Sequence, residues 1–185
     1  MIGGSTPKPG SAIYELAVAV GRAAASRGAL VLCGGRAGVM EGAARGAREA
    51  GGRSIGILPS LEGAGNANPF IDCAIYTGLG DARNFLNART SDAVIALEGD
   101  AGTLAEIGLA FKCGVPLVYL RAWEFLHARP SFAGAWAESP EEAVEIALRR
   151  AGVRPGEPFT APLRYPELPE QASRRRKLEE FLAGL

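Results

Sequence analysis

The residues best placed to do chemistry lie in Gly99-Asp100-Ala101-Gly102-Thr103-Leu104-Ala105-Glu106. Ahead of them, Ala93-Val94-Ile95-Ala96-Leu97 is an apolar run of strand length, and after them Leu104, Ile107, Leu109 and Phe111 recur at helical spacing. The pattern predicts strand, tight glycine turn and helix N-terminus. The first N–H groups of a helix have no partner inside it and carry the positive end of the dipole, so such a turn suits an anion. A phosphate-bearing ligand is the expectation. A second unit of the same build is Ala29-Leu30-Val31-Leu32-Cys33 followed by Gly34-Gly35-Arg36-Ala37-Gly38-Val39-Met40-Glu41.

Each of these residues has a plainer reading beside the chemical one. Thr103 and Glu106 also fit a capping box, in which the two side chains tie up orphan donors of the helix start. Gly34, Gly35 and Gly38 also serve turn geometry and close helix packing, and Ser5 serves as a cap. Arg83 has Asp81 and Asp92 near it in sequence as ion-pair partners. Asp100 bears on the phosphate expectation directly. A carboxylate about 5 Å from a phosphate oxygen costs about 3 kcal/mol at an effective dielectric near 20, enough to cancel one or two loop donors. It therefore points outward, pairs with an arginine such as Arg36, or marks a site for another ligand; outward is the favoured arrangement. His127 is the single histidine, with no nucleophile or second ligand at a telling spacing, and reads as a helix-end or packing residue. The three lysines, Lys8, Lys112 and Lys177, lie outside any site-like context, so no pyridoxal phosphate Schiff base is expected. No spacing of His, Cys and carboxylates marks a metal site.

The elements that position these residues form an alternating series. Met1 to Ser5 reads as the end of a first strand and its loop, shorter than the usual five residues or so, which implies either a different start or further residues upstream. A helix is expected from about Ser11 to Ser26, strands at Ala29–Cys33 and Ser54–Pro59, and a glycine- and asparagine-rich loop from Ser60 to Phe70. A short strand at Cys73–Tyr76 and a helix at Asp81–Thr90 follow. Beyond the central strand and helix come a strand at Val115–Leu120, a strand or turn in Phe132–Ala137, and a helix from Ser139-Pro140 to about Arg150. The strands carry no polar alternation, as in a parallel sheet covered on both faces. The fold class is thus α/β: a doubly wound parallel sheet with helices on both faces, over residues 1–150. Gly152 to Pro169 reads as a proline-rich linker and Glu170–Leu185 as a C-terminal helix, not a separate domain. Arg174-Arg175-Arg176-Lys177 on that helix reads as a solvated face.

Composition narrows the partners. With 185 residues, 48% of them apolar, the chain buries roughly 70% of its unfolded surface in a real core. Twenty basic residues balance twenty acidic ones, so nothing draws in nucleic acid or an anionic membrane surface. Cys33, Cys73 and Cys113 are odd in number and widely spread, and read as reduced, buried thiols. No apolar run is long enough to span a bilayer and no signal peptide opens the chain, so a cytoplasmic location is expected.

Two blocks resemble a known family. Gly34-Gly35-Arg36-Ala37-Gly38-Val39-Met40 with its small-residue helix to Gly51-Gly52, and Arg83 through Glu106, are together similar to the family that joins LONELY GUY cytokinin-activating proteins with molybdenum-cofactor carriers. Its members are often labelled "possible lysine decarboxylase", an activity the lysine pattern above argues against. The resemblance covers about residues 1–150. It implies a Rossmann-like fold, assembly as a homodimer or homotetramer, and a ligand phosphate on the Gly99–Thr103 loop. The implied ligand contacts are Gly4, Ser5, Gly34, Gly35, Gly38, Met40, Arg83, Gly99, Ala101, Gly102 and Thr103. In the phosphoribohydrolase branch, Arg83 and Glu106 match the catalytic arginine and glutamate. There a carboxylate near the anomeric carbon stabilises an oxocarbenium-like transition state or orients water, while the arginine holds the ligand. Three positions depart from that branch: Glu98 stands for proline, Asp100 for the second glycine and Asn84 for lysine. Arg83-Asn84 and the Gly4-Ser5 opening look closer to the carrier branch. The resemblance therefore implies binding of the molybdenum cofactor or a nucleoside monophosphate, with hydrolysis of a nucleoside 5′-monophosphate as the alternative.

Overall fold

The computed structural model describes residues 1–61, 67–123 and 134–153. Helix α1 (Ala12–Ser26) opens on Ser11, whose hydroxyl accepts from the Tyr14 N–H. Strand β1 (Val31–Cys33) leads through the glycine loop to α2 (Val39–Glu49), β2 (Ser54–Leu58) and β3 (Cys73–Tyr76). A 3-10 turn at Gly80–Arg83 runs straight into α3 (Asn84–Arg89). Then come β4 (Val94–Ala96), α4 (Ala101–Lys112), β5 (Leu117–Tyr119), β6 (Ala135–Trp136) and α5 (Pro140–Arg150), the last with Ser139 as cap and proline in its first turn.

All strand pairs are parallel, in the orders β1-β2-β3 and β4-β5-β6. The expected first strand is a single bridge, Ile2 against Ala96, yet it joins the two halves. Ile2 N–H donates to Ile95 O at 3.0 Å, Leu97 N–H to Ile2 O at 3.0 Å, and the Met1 ammonium to Leu32 O at 2.8 Å. Met1–Gly4 therefore lies between β1 and β4, at the middle of a Rossmann-like sheet.

Alternation along β4 places a core on each face. Ile95 and Leu97 pack with Val20 of α1 and Val144 of α5, whereas Val94 and Ala96 pack with Ala88 of α3 and Ile107 of α4. Helices thus cover both faces, as the apolar strands require. The small residues of α2 let it sit against α1 nearly backbone to backbone: a Cβ on Gly46 would overlap Val18 O. One expectation needs correction. Cys33 is buried, but Cys73 is exposed because β3 is an edge strand whose four residues are all exposed, and Cys113, at the C-cap of α4, is only half-buried. His127, the proline-rich linker and the C-terminal helix lie outside the described residues.

Candidate functional site

Three loops meet at the carboxyl ends of the strands. Gly4 N–H donates to Glu98 O at 2.9 Å and Val39 N–H to Gly4 O at 2.9 Å, so the Gly4-Ser5 turn is tied to both glycine loops. Gly38 adopts a φ of 71°, which favours glycine, and a Cβ there would overlap Gly4 O. A Cβ on Gly99 would overlap the Thr103 hydroxyl and crowd Gly4 N. The three loops thus sit together at one end of the sheet. Ser5 is exposed at the rim, while Met40 is buried beneath Gly34.

Arg83 reaches into this junction from the end of its 3-10 turn. It is only 8% exposed, and its Nε and Nη1 are buried without a hydrogen-bond partner. Gly34 makes the room, since a Cβ there would overlap Nη1. Among the described residues it forms no ion pair with Asp81 or Asp92, and burial pulls its pKa below the usual arginine range. A buried guanidinium with open donors is costly alone, and an anion is what offsets that cost.

Glu106 faces the same region and is likewise buried. Its carboxylate accepts from Asn87 Nδ2 at 2.7 Å. Burial raises its pKa above the carboxylate range, opposed by the Asn87 bond and the nearby Arg83 charge. The capping-box reading is overturned. Asp100 is the N-cap of α4 and accepts from Gly102 N–H at 3.1 Å, so Thr103 falls one turn into the helix and Glu106 is left to Asn87. A shorter acidic side chain directly ahead of the helix wins the cap. Asp100 is exposed, as favoured, but it takes one amide of the expected phosphate loop. The N–H groups of Ala101 and Thr103 have no partner among the described residues.

Asn87 and Asn68 were not legible as site residues. Asn87, 1% exposed, lies on α3 four residues after Arg83, the N-cap of that helix. Asn68 donates its Nδ2 to Arg36 O at 2.9 Å and its N–H to Gly35 O at 2.8 Å, clamping the first glycine loop. A lone asparagine in a polar loop carries no signal for such a clamp.

These features define a Rossmann-like protein whose glycine loops converge at the carboxyl ends of its strands around a buried arginine. Residues 1–144 match the SLOG cluster4 family model, and the chain belongs to that family. An uncharacterized protein of Archaeoglobus fulgidus is 36% identical over 135 residues, 73% of this chain and 85% of that protein. Among solved structures, the molybdenum cofactor binding protein of Rippkaea orientalis is 40% identical with a TM-score of 0.71, covering 78% of this chain and 90% of that one. The molybdenum cofactor carrier protein of Chlamydomonas reinhardtii is 31% identical with a TM-score of 0.72, covering 82% and 96%. Among the described residues, no helix is long and apolar enough to cross a membrane.

Proposed function

We propose that the chain binds and carries a small phosphorylated ligand of the molybdenum-cofactor kind, with the phosphate between Arg83 and the start of α4. The observation that carries this reading is the buried Arg83 guanidinium with Nε and Nη1 unpartnered beside Gly34. The Ala101 and Thr103 amides add donors from the positive end of α4. The likeness to two proteins named for molybdenum cofactor supports the ligand class. Gly4, Ser5, Gly34, Gly35, Gly38, Gly99 and Gly102 supply close backbone approach, and Met40 the floor under Gly34. We read the protein as cytoplasmic and as a homodimer or homotetramer. Exposure of Ile75 and Tyr76 on an edge strand of a parallel sheet supports a partner copy.

A thermal melt with and without a molybdopterin-type ligand tests the reading. At a hundred times its Kd a ligand adds about 2.7 kcal/mol, or ~5–10 °C for a chain of this size. No shift at millimolar ligand refutes it.

One observation favours the second reading, a phosphoribohydrolase. Glu106 is a buried carboxyl with a raised pKa, close enough to feel the Arg83 charge, as a group that handles protons near a glycosidic bond would be. Overnight incubation with AMP, followed by chromatography, separates the two. Base release that disappears in Glu106→Ala puts the enzyme first; intact AMP leaves the carrier.

A further inference from the structure

The contact between α3 and α4 holds an incomplete exchange of hydrogen bonds. Asn87 of α3 is 1% exposed, and its Nδ2 donates to Glu106 Oε1 on α4 at 2.7 Å. Its Oδ1 is buried with no partner among the described residues. Glu106 Oε2 likewise takes no hydrogen bond among those residues. Arg83 is close enough for its charge to act on Glu106, yet the two form no ion pair, and its Nε and Nη1 stay unpartnered among the described residues. An ionised Glu106 fits none of this. A carboxylate only accepts, so it leaves the Asn87 oxygen orphaned, and beside a buried guanidinium with open donors it is expected to close onto them. A neutral carboxyl carries one O–H, the donor that Asn87 Oδ1 lacks.

We propose that Asn87 and Glu106 form a closed acid–amide pair, in which Asn87 Nδ2 donates to Oε1 and a proton held on Oε2 donates to Asn87 Oδ1. Asn87 is thus a positioning residue. By holding Glu106 as the neutral acid, it leaves the Arg83 guanidinium for an anionic ligand. The pair stands on the contact of α3 with α4; its consequence for the ligand rests on the phosphate-binding reading above. Burial of Glu106 favours the same neutral form, as in sites where a carboxyl is kept protonated in order to donate. The charges that act on Glu106 from other elements oppose it. They are Arg83 from the 3-10 turn and the Met1 ammonium, itself disfavoured by burial. Cys33, at the end of β1, is held as the thiol by burial and adds no charge.

The test reads the Glu106 carboxyl by carbon NMR in the full ligand-free chain, assigned by its loss in Glu106→Gln, alongside titration with sulfate, an anion that does not itself titrate near neutrality. The expected carboxyl signal at about pH 7 is that of the neutral acid. Asn87→Leu frees Glu106 to pair with Arg83 and is expected to weaken sulfate binding about tenfold. Adding Glu106→Gln, which brings no charge to compete, recovers most of that loss; a merely structural role for Asn87 would give no recovery. An ionised carboxyl at about pH 7 overturns the proposal. So does an Asn87→Leu protein that binds sulfate as wild type does, or one whose loss Glu106→Gln does not recover. A neutral carboxyl in a wild type that binds no sulfate supports the pair and overturns instead the phosphate-binding reading.

Discussion

The two ends of one sheet leave different things open. At the carboxyl end lie a buried guanidinium without hydrogen-bond partners for its Nε and Nη1, and helix amides; at the amino end lies a cleft with mostly apolar walls. The difference follows from topology. A parallel strand feeds a helix whose N-terminus lies at the strand's carboxyl end, so positive dipole ends and tight glycine turns gather there. The amino end receives helix C-termini and buries side chains. Polar groups at the carboxyl end and apolar packing at the amino end are thus separate features of one sheet, and substitutions at one end are expected to spare the other.

The largest expected effect tests that separation. Ile95→Ala at the amino end removes a core side chain and is expected to cost about 3 kcal/mol of stability. The affinity of the remaining folded protein for a molybdopterin-type ligand stays within about twofold, as read by denaturant melts and titration. A large loss of affinity would couple the ends. Arg83→Met is expected to do the reverse. It removes charge-assisted bonds worth roughly 1.5–3 kcal/mol each, lowering affinity about a hundredfold. The ligand-free protein melts no lower than wild type, because an unpaired buried charge has gone.

A smaller effect concerns pH. Burial raises the Glu106 pKa, so the folded chain holds that proton more readily than the unfolded chain. The contribution to stability is greatest below the ordinary carboxylate pKa and is lost as pH rises through the raised one. Glu106→Gln is therefore expected to melt alongside wild type near about pH 4 and ~3 °C above it at pH 7. A gap that widened in acid would reverse the sign. The smallest effect is at Asp100. Serine keeps the cap while removing its charge, so Asp100→Ser is expected to tighten phosphate-ligand binding about threefold with little change in Tm.

The glycine loops and their strands were legible because the signals are local. Apolar runs without alternation marked covered strands, and Gly34, Gly38 and Gly99 marked turns where another backbone or side chain approaches closely. The helix start was misplaced by three residues because Asp100 and Thr103 are both good caps, and only the turn's geometry decides between them. Asn87 and Asn68 act through partners 19 and 32 residues away in sequence, distances that no spacing rule spans. Cysteine burial failed for a related reason: Cys73 has a strand-like context, but whether a strand lies at an edge is set by the whole sheet.

The most direct test of the anion-receptive crevice is calorimetric titration of the full chain with a molybdopterin-type ligand as inorganic phosphate is raised. The expected result is binding that weakens with added phosphate in wild type, and that is both weak and phosphate-insensitive in Arg83→Met. Tight binding indifferent to phosphate, or unchanged by Arg83→Met, would contradict the account.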